Sequence, residues 1–112
     1  MKKVTVAVLA YNEEANLPDL LASLAAQTVP PEDFDILIVD NGSRDRTRDL
    51  VREWRQKLPN LHLVVQPTPG IAVSRNKALA TADTPLVAFT DADVICPPHW
   101  LAKLLDGYDR HH

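Results

Sequence analysis

The chain has 112 residues, of which 46% are hydrophobic and 24% charged, with a formal net charge of −3. That length supports one core and excludes two, the ordinary composition excludes disorder, and the lack of a one-signed basic surface speaks against a nucleic-acid partner. A single cysteine, Cys96, excludes an internal disulfide and points to the cytoplasm, and no apolar run reaches the roughly 18 to 20 residues of a membrane span, so contact with the inner face of a membrane would come through other regions or partners.

In chain order, Met1-Lys2-Lys3 followed by Val4 to Leu9 has the outline of a leader, but Asn12-Glu13-Glu14 ends the apolar run too early, and a first strand is predicted instead. A helix follows Asn12, with Leu17, Leu21, Leu24 and Ala25 at helical spacing and Pro18 confined to the first turn. Asp35 to Asp40 is a second strand. The next helix takes Ser43 or Asp45 as its N-cap, carries Leu50, Val51, Trp54 and Leu58 on one stripe and ends before Pro59. Its Arg44, Arg46, Arg48 and Arg52 alternate with Asp45, Asp49 and Glu53, which reads as a solvated mixed-charge face rather than a polyanion site. Leu61 to Gln66 forms a third strand, Ile71 to Ala82 a third helix and Pro85 to Asp91 a fourth strand. After Pro97-Pro98, His99 to Tyr108 forms a last helix whose apolar face is Trp100, Leu101, Leu104 and Leu105. The strands are apolar without alternation, as in strands buried on both faces, and the βαβαβαβ order predicts an α/β fold: a Rossmann-like parallel sheet of four strands flanked by helices on both sides. With no linker or repeat, the chain is one unit.

In such a sheet ligands bind beyond the carboxyl ends of the strands. Those ends carry Ala10-Tyr11-Asn12-Glu13-Glu14, Asp40-Asn41-Gly42-Ser43, Gln66 to Gly70 and Asp91-Ala92-Asp93. Asp91 and Asp93, two apart at the end of an apolar strand, can project to one side and offer hard oxygen ligands to Mg2+ or Mn2+, completed by phosphate oxygens and water. Burying two like charges there would be costly without a cation. The few glycines cannot make a dinucleotide or P-loop fingerprint, Ser74 has no nucleophile-elbow context, and the histidines lack zinc-ligand spacing. His111-His112 reads as an added tail.

Four segments, in order, resemble the motifs of family 2 glycosyltransferases: Val6 to Glu14 with Leu17; Ile38 to Thr47; Gly70 to Leu79, containing Ser74-Arg75-Asn76; and Phe89 to Asp93 followed by Pro98-His99-Trp100-Leu101. The resemblance covers nearly the whole chain. It implies a GT-A fold and inverting transfer from a nucleotide-diphosphate sugar, with a UDP-sugar favoured, although an aromatic at 11 and a carboxylate at 40 also suit guanine. In that family the backbone near Ala10 and the ring of Tyr11 line the base pocket, and Asp40 accepts a hydrogen bond from the base. Arg75 lies near base or diphosphate, Asp91 meets the ribose and Asp93 the metal. Each has a structural alternative: Asp40 as a brace of its turn, Tyr11 as a packing residue, Arg75 as the ion-pair partner of Asp83. Asn12, Glu13 and Asn76 are read as turn and cap residues.

Members of that family are usually about twice this length, and their second half supplies the acceptor pocket and the general base. After Asp93 only Asp106 and Asp109 remain as carboxylates, both in a polar tail, so no residue is assigned as the base. Three readings follow. The first is a donor-binding half, residues 1–112, truncated and inactive alone. The second is a non-catalytic nucleotide-binding module, whose exposed sheet edge a second copy would cover as a homo-oligomer. The third is a response-regulator-like switch with a phosphoacceptor aspartate.

Overall fold

The structure, a computed structural model, describes residues 2–111, and the side chains of residues 2–109. The expected tail His111-His112 therefore lies outside the described side chains. Strands β1 (Val4–Ala10), β2 (Phe34–Asp40), β3 (Leu61–Val65) and β4 (Leu86–Asp91) form one parallel sheet in the order β3-β2-β1-β4. Helices α1 (Leu17–Ala25), α2 (Thr47–Trp54), α3 (Ile71–Thr81) and α4 (Trp100–His111) separate and follow the strands. The predicted α/β order holds throughout.

The sheet is covered unequally. Even-numbered residues of β1 and β2, including Val6, Val8, Ile36 and Ile38, join Leu17, Leu20, Leu21 and Leu24 of α1, Val51 of α2 and Leu101 of α4 in one large core. Each wholly buried leucine there contributes about 1.5–3 kcal/mol relative to exposure. The opposite face holds a small cluster of Ala7, Leu37, Val39 and Ala78, under α3 alone. Only β1 and β2 are buried on both faces; β3 and β4, as edge strands, are half-exposed along much of their length, which corrects the expectation of four doubly buried strands.

Smaller differences have local causes. The buried stripe of α1 is Leu17, Leu20, Leu21 and Leu24, while Ala25 is exposed, because two turns of a 3.6-residue helix carry it off the face. Helix α2 starts at Thr47 and ends at Trp54, four residues short of Leu58, which still packs on the core. Helix α4 continues through Asp106 and Asp109 to His111, so these carboxylates lie on a helix and not in a tail. The segment entering α4 is fastened by Gln27, whose amide donates to the Pro97 carbonyl at 2.8 Å and accepts the Leu101 N–H at 3.0 Å. Cys96 is a free, buried thiol there, and burial raises its pKa against the opposing hydrogen bonds of Thr90 and Ser23. Among the described residues no helix is long and apolar enough to cross a membrane.

Candidate functional site

Helix α3 joins β3 at one edge to β4 at the other, passing over β2 and β1, so the chain reverses its direction of growth beside β1. Such a switch point leaves a crevice at the carboxyl ends of the strands. The register sets those ends level: Ala10 lies opposite Asp40, Asp40 opposite Val65, and Leu9 opposite Asp91.

Asp40 is fully buried. Its Oδ2 accepts the N–H groups of Gly42 and Ser43, each at 3.1 Å, and lies 3.5 Å from the Arg48 guanidinium of α2. Gly42 sits at φ +87°, a left-handed conformation that costs glycine little and lets the loop fold back onto this carboxylate. The other oxygen, Oδ1, is buried without a hydrogen-bond partner. Asp40 therefore does brace its turn, and it also keeps one acceptor unused. An unpaired buried acceptor carries a desolvation cost that a ligand donor or a water would relieve.

The loops after β1 and β2 are laced together. Asn12 N–H donates to Ser43 Oγ at 2.9 Å, Glu13 N–H to Thr47 Oγ1 at 2.9 Å, Glu14 N–H to Asp45 Oδ2 at 3.1 Å, and Arg44 N–H to Asn12 Oδ1 at 2.8 Å. Asn12 adopts φ +54°, where its short polar side chain is tolerated better than most. Neither expected N-cap works as such: Arg46 stands at that position, Ser43 serves Asn12, and Asp45 reaches forward to the Thr47 N–H at 2.9 Å. Burial pulls the Asp45 carboxyl upward, but bonds from the Thr47 hydroxyl and N–H and the Glu14 N–H outweigh it and hold its pKa below the usual carboxylate range. Asn41, which the sequence reading passed over, ties in the loop after β3: its amide donates to the carbonyls of Gln66 and Thr68 at 2.7 and 2.8 Å.

Between these loops lies a cleft of about 400 Å³ lined by Tyr11, Asn41, Gly42, Arg44, Pro67 and Pro69. Tyr11 is 54% exposed. Ala10 is in the core, and its carbonyl accepts the Asn41 N–H at 2.9 Å. Arg75 stacks on Phe89, its guanidinium carbon 4.7 Å from the ring centroid, rather than pairing with Asp83.

The β4 end is built differently. Asp91 ends the strand, whereas Ala92 and Asp93 belong to a turn in which the Val94 N–H donates to the Asp91 carbonyl at 3.2 Å. Strand alternation therefore does not extend to Asp93. Both carboxylates are exposed, so the expected burial of like charges is absent: β4 is an edge strand, and its end faces solvent. Among the described residues no group of three or more His, Cys, Asp or Glu side chains could hold a metal ion unaided.

The family model of Glycosyl transferase family 2 matches residues 5–112. The chain belongs to this family. It is 38% identical over 107 residues to validoxylamine A glucosyltransferase of Streptomyces hygroscopicus subsp. limoneus, covering 94% of this chain and 23% of that protein. It is 36% identical over 114 residues to the poly(ribitol-phosphate) beta-N-acetylglucosaminyltransferase TarS of Staphylococcus aureus, covering 100% of this chain and 20% of the relative. This family 2 chain thus spans less than a quarter of either relative's length. The crystal structure of S. aureus TarS 1-349 in complex with UDP-GlcNAc matches with a TM-score of 0.87 and 36% identity over 98% of this chain and 32% of that one. Mannosyltransferase PcManGT from Pyrobaculum calidifontis, in complex with GDP-Man and Mn2+, matches with a TM-score of 0.86 and 34% identity over 92% and 31%. The fold is thereby that of the GT-A glycosyltransferases, as the resemblance implied.

Proposed function

We propose that residues 1–112 form the nucleotide-sugar-binding half of a family 2 glycosyltransferase domain, taking a UDP-sugar across the strand ends for inverting transfer to an acceptor hydroxyl. The observation that carries this is the unused Oδ1 of the buried Asp40 in the turn that forms one wall of the Tyr11 cleft. A carboxylate acceptor with one free position suits an imide N–H, and an exposed aromatic ring offers a stacking surface for a base. Gly42 lines the cleft, and the backbone near Ala10 borders the base as the family resemblance implies. By the family resemblance we assign Asp91, level with Leu9 of β1, to the ribose, and Arg75, on the first turns of α3, to the base or diphosphate.

The donor set at β4 fits a substrate-bridged ion and not a free-standing one. Asp93, with Asp91 beside it, presents hard oxygens on an open turn, and Mg2+ or Mn2+ is commonly held by one or two carboxylates, with phosphate oxygens and water supplying the rest. The ion, when bound, would offset the charge gathering on the departing diphosphate. The protein's own part is to fix the nucleotide so that the anomeric carbon faces the acceptor. No residue here is assigned as general base, Asp106 and Asp109 of α4 included. Transfer by these residues alone is therefore not expected. Family membership favours this reading over a phosphoacceptor switch.

The test is calorimetric titration of UDP, GDP and their sugars into the chain with and without Mn2+. Binding strengthened by Mn2+, and no longer strengthened in Asp93→Ala, is the expected result. If none of these ligands binds, the donor-site reading fails.

A further inference from the structure

Of the four arginines within α2 and the turn before it, Arg44, Arg46, Arg48 and Arg52, three are matched to carboxylates. Arg46 pairs with Glu53 at 2.9 Å, Arg52 lies 3.6 Å from Asp49, and Arg48 lies 3.5 Å from the buried Asp40. Arg44 alone of this group has no ion pair among the described residues, and it is the one that lines the Tyr11 cleft. Its backbone is held twice over. Its N–H donates to Asn12 Oδ1 at 2.8 Å, and the two residues before it are wrapped onto Asp40 Oδ2. The side chain thus starts from a fixed point on the cleft wall with its charge unspent.

The sheet order decides which part of a ligand it would meet. Asp91 and Asp93 close β4, whereas the Tyr11 cleft lies over the ends of β1 and β2, with the loop after β3 as its far wall. Strands are spaced about 4.8 Å apart, so β2 and β4 stand roughly 10 Å from each other. A nucleotide whose diphosphate sits at β4 therefore lays its base, and not its phosphates, beside Arg44. We propose that Arg44 is a nucleobase-binding residue, its guanidinium donating to a carbonyl oxygen of the base while the free oxygen of Asp40 takes the adjacent ring N–H. This rests on the donor-site reading above. Uracil and guanine share a ring C=O beside a ring N–H, and a planar guanidinium fork holds the carbonyl of such an edge better than a lysine point charge.

The experiment compares the wild-type chain with Arg44→Ala and Arg44→Lys, titrating uridine, UMP, UDP and inorganic pyrophosphate at fixed salt. Arg44→Ala is expected to weaken uridine, UMP and UDP by the same factor, roughly tenfold, and to leave pyrophosphate unchanged. Arg44→Lys should recover only part of the loss. Equal affinities in wild type and Arg44→Ala overturn the proposal, as does a loss that grows with the number of phosphates, which would make Arg44 a phosphate contact. Failure of the wild type to bind any of the four ligands removes the donor-site reading and this inference with it, whereas wild-type binding that survives Arg44→Ala removes the inference alone. An unchanged thermal melting profile of both variants shows that the fold is intact, as expected for an exposed side chain.

Discussion

The two ends of the crevice differ in how much of their geometry the protein fixes by itself. At the β1–β2 end, four backbone N–H groups in the loops donate to side chains of the facing loop, and a buried carboxylate holds the turn from beneath. At the β4 end, one exposed carboxylate closes the strand and the other stands on the turn after it, with a single backbone bond across that turn among the described residues. The rigid end is where shape and hydrogen-bond pattern would select a base. The open end is where a cation and a diphosphate would complete each other's coordination, which needs access more than rigidity. Preorganisation lowers the ordering cost of binding, so it matters most where recognition is to be exact in geometry.

Breaking the rigid end should have the largest effect. Asp40→Ala removes the acceptor of two N–H groups and leaves Arg48 without its partner, and a loss of about 3 kcal/mol in urea-denaturation stability is expected. Next comes Asn12→Ala, which forces alanine to φ +54° and deprives the Arg44 N–H of its acceptor, for about 2 kcal/mol, with Asn12→Gly recovering the strain component. At the open end, Asp93→Ala should leave stability within about 0.5 kcal/mol of wild type while abolishing a Mn2+-dependent gain in UDP affinity of roughly tenfold. A stability loss there comparable to that of Asp40→Ala would erase the contrast between the ends.

Asp45 sharpens the same comparison through pH. Its folded pKa is lowered, so the stability it confers is present above its unfolded value and lost as pH falls through the folded one. The stability difference between wild type and Asp45→Asn should therefore be full at neutral pH and shrink as the pH is taken below about 4. Arg46→Ala, which breaks an exposed pair with Glu53, should change stability by no more than about 0.5 kcal/mol and lose even that at high salt.

Much of the fold was legible because its signals are local. Apolar runs, helical spacing and turn residues all act within a few positions, and they placed the four strands and four α-helices in order, missing only the short 3-10 turn Pro31–Asp33 before β2. The errors fell where a tertiary neighbour decides. Ser43 looks like a helix cap by spacing, but its hydroxyl is taken by Asn12, 31 residues away. Asp91-Ala92-Asp93 looked like the buried end of a strand, because apolar residues precede it; β4 is an edge, and its end is open. Asn41 gave no warning of its role, since the carbonyls it serves belong to Gln66 and Thr68.

By itself the sequence determined the α/β order and the family, because hydrophobic periodicity and motif spacing are written along the chain. Only the tertiary structure decided the sheet order β3-β2-β1-β4, and with it which residues share the crevice and how far apart its two ends lie. The physical reason is that parallel strands pair through crossovers whose destination the local sequence does not encode. Helix α3 could carry the chain to either side of the sheet on local grounds, and it is the packing of Ala78 over Ala7, Leu37 and Val39 that sets it across β1 and β2 and opens the site beside them.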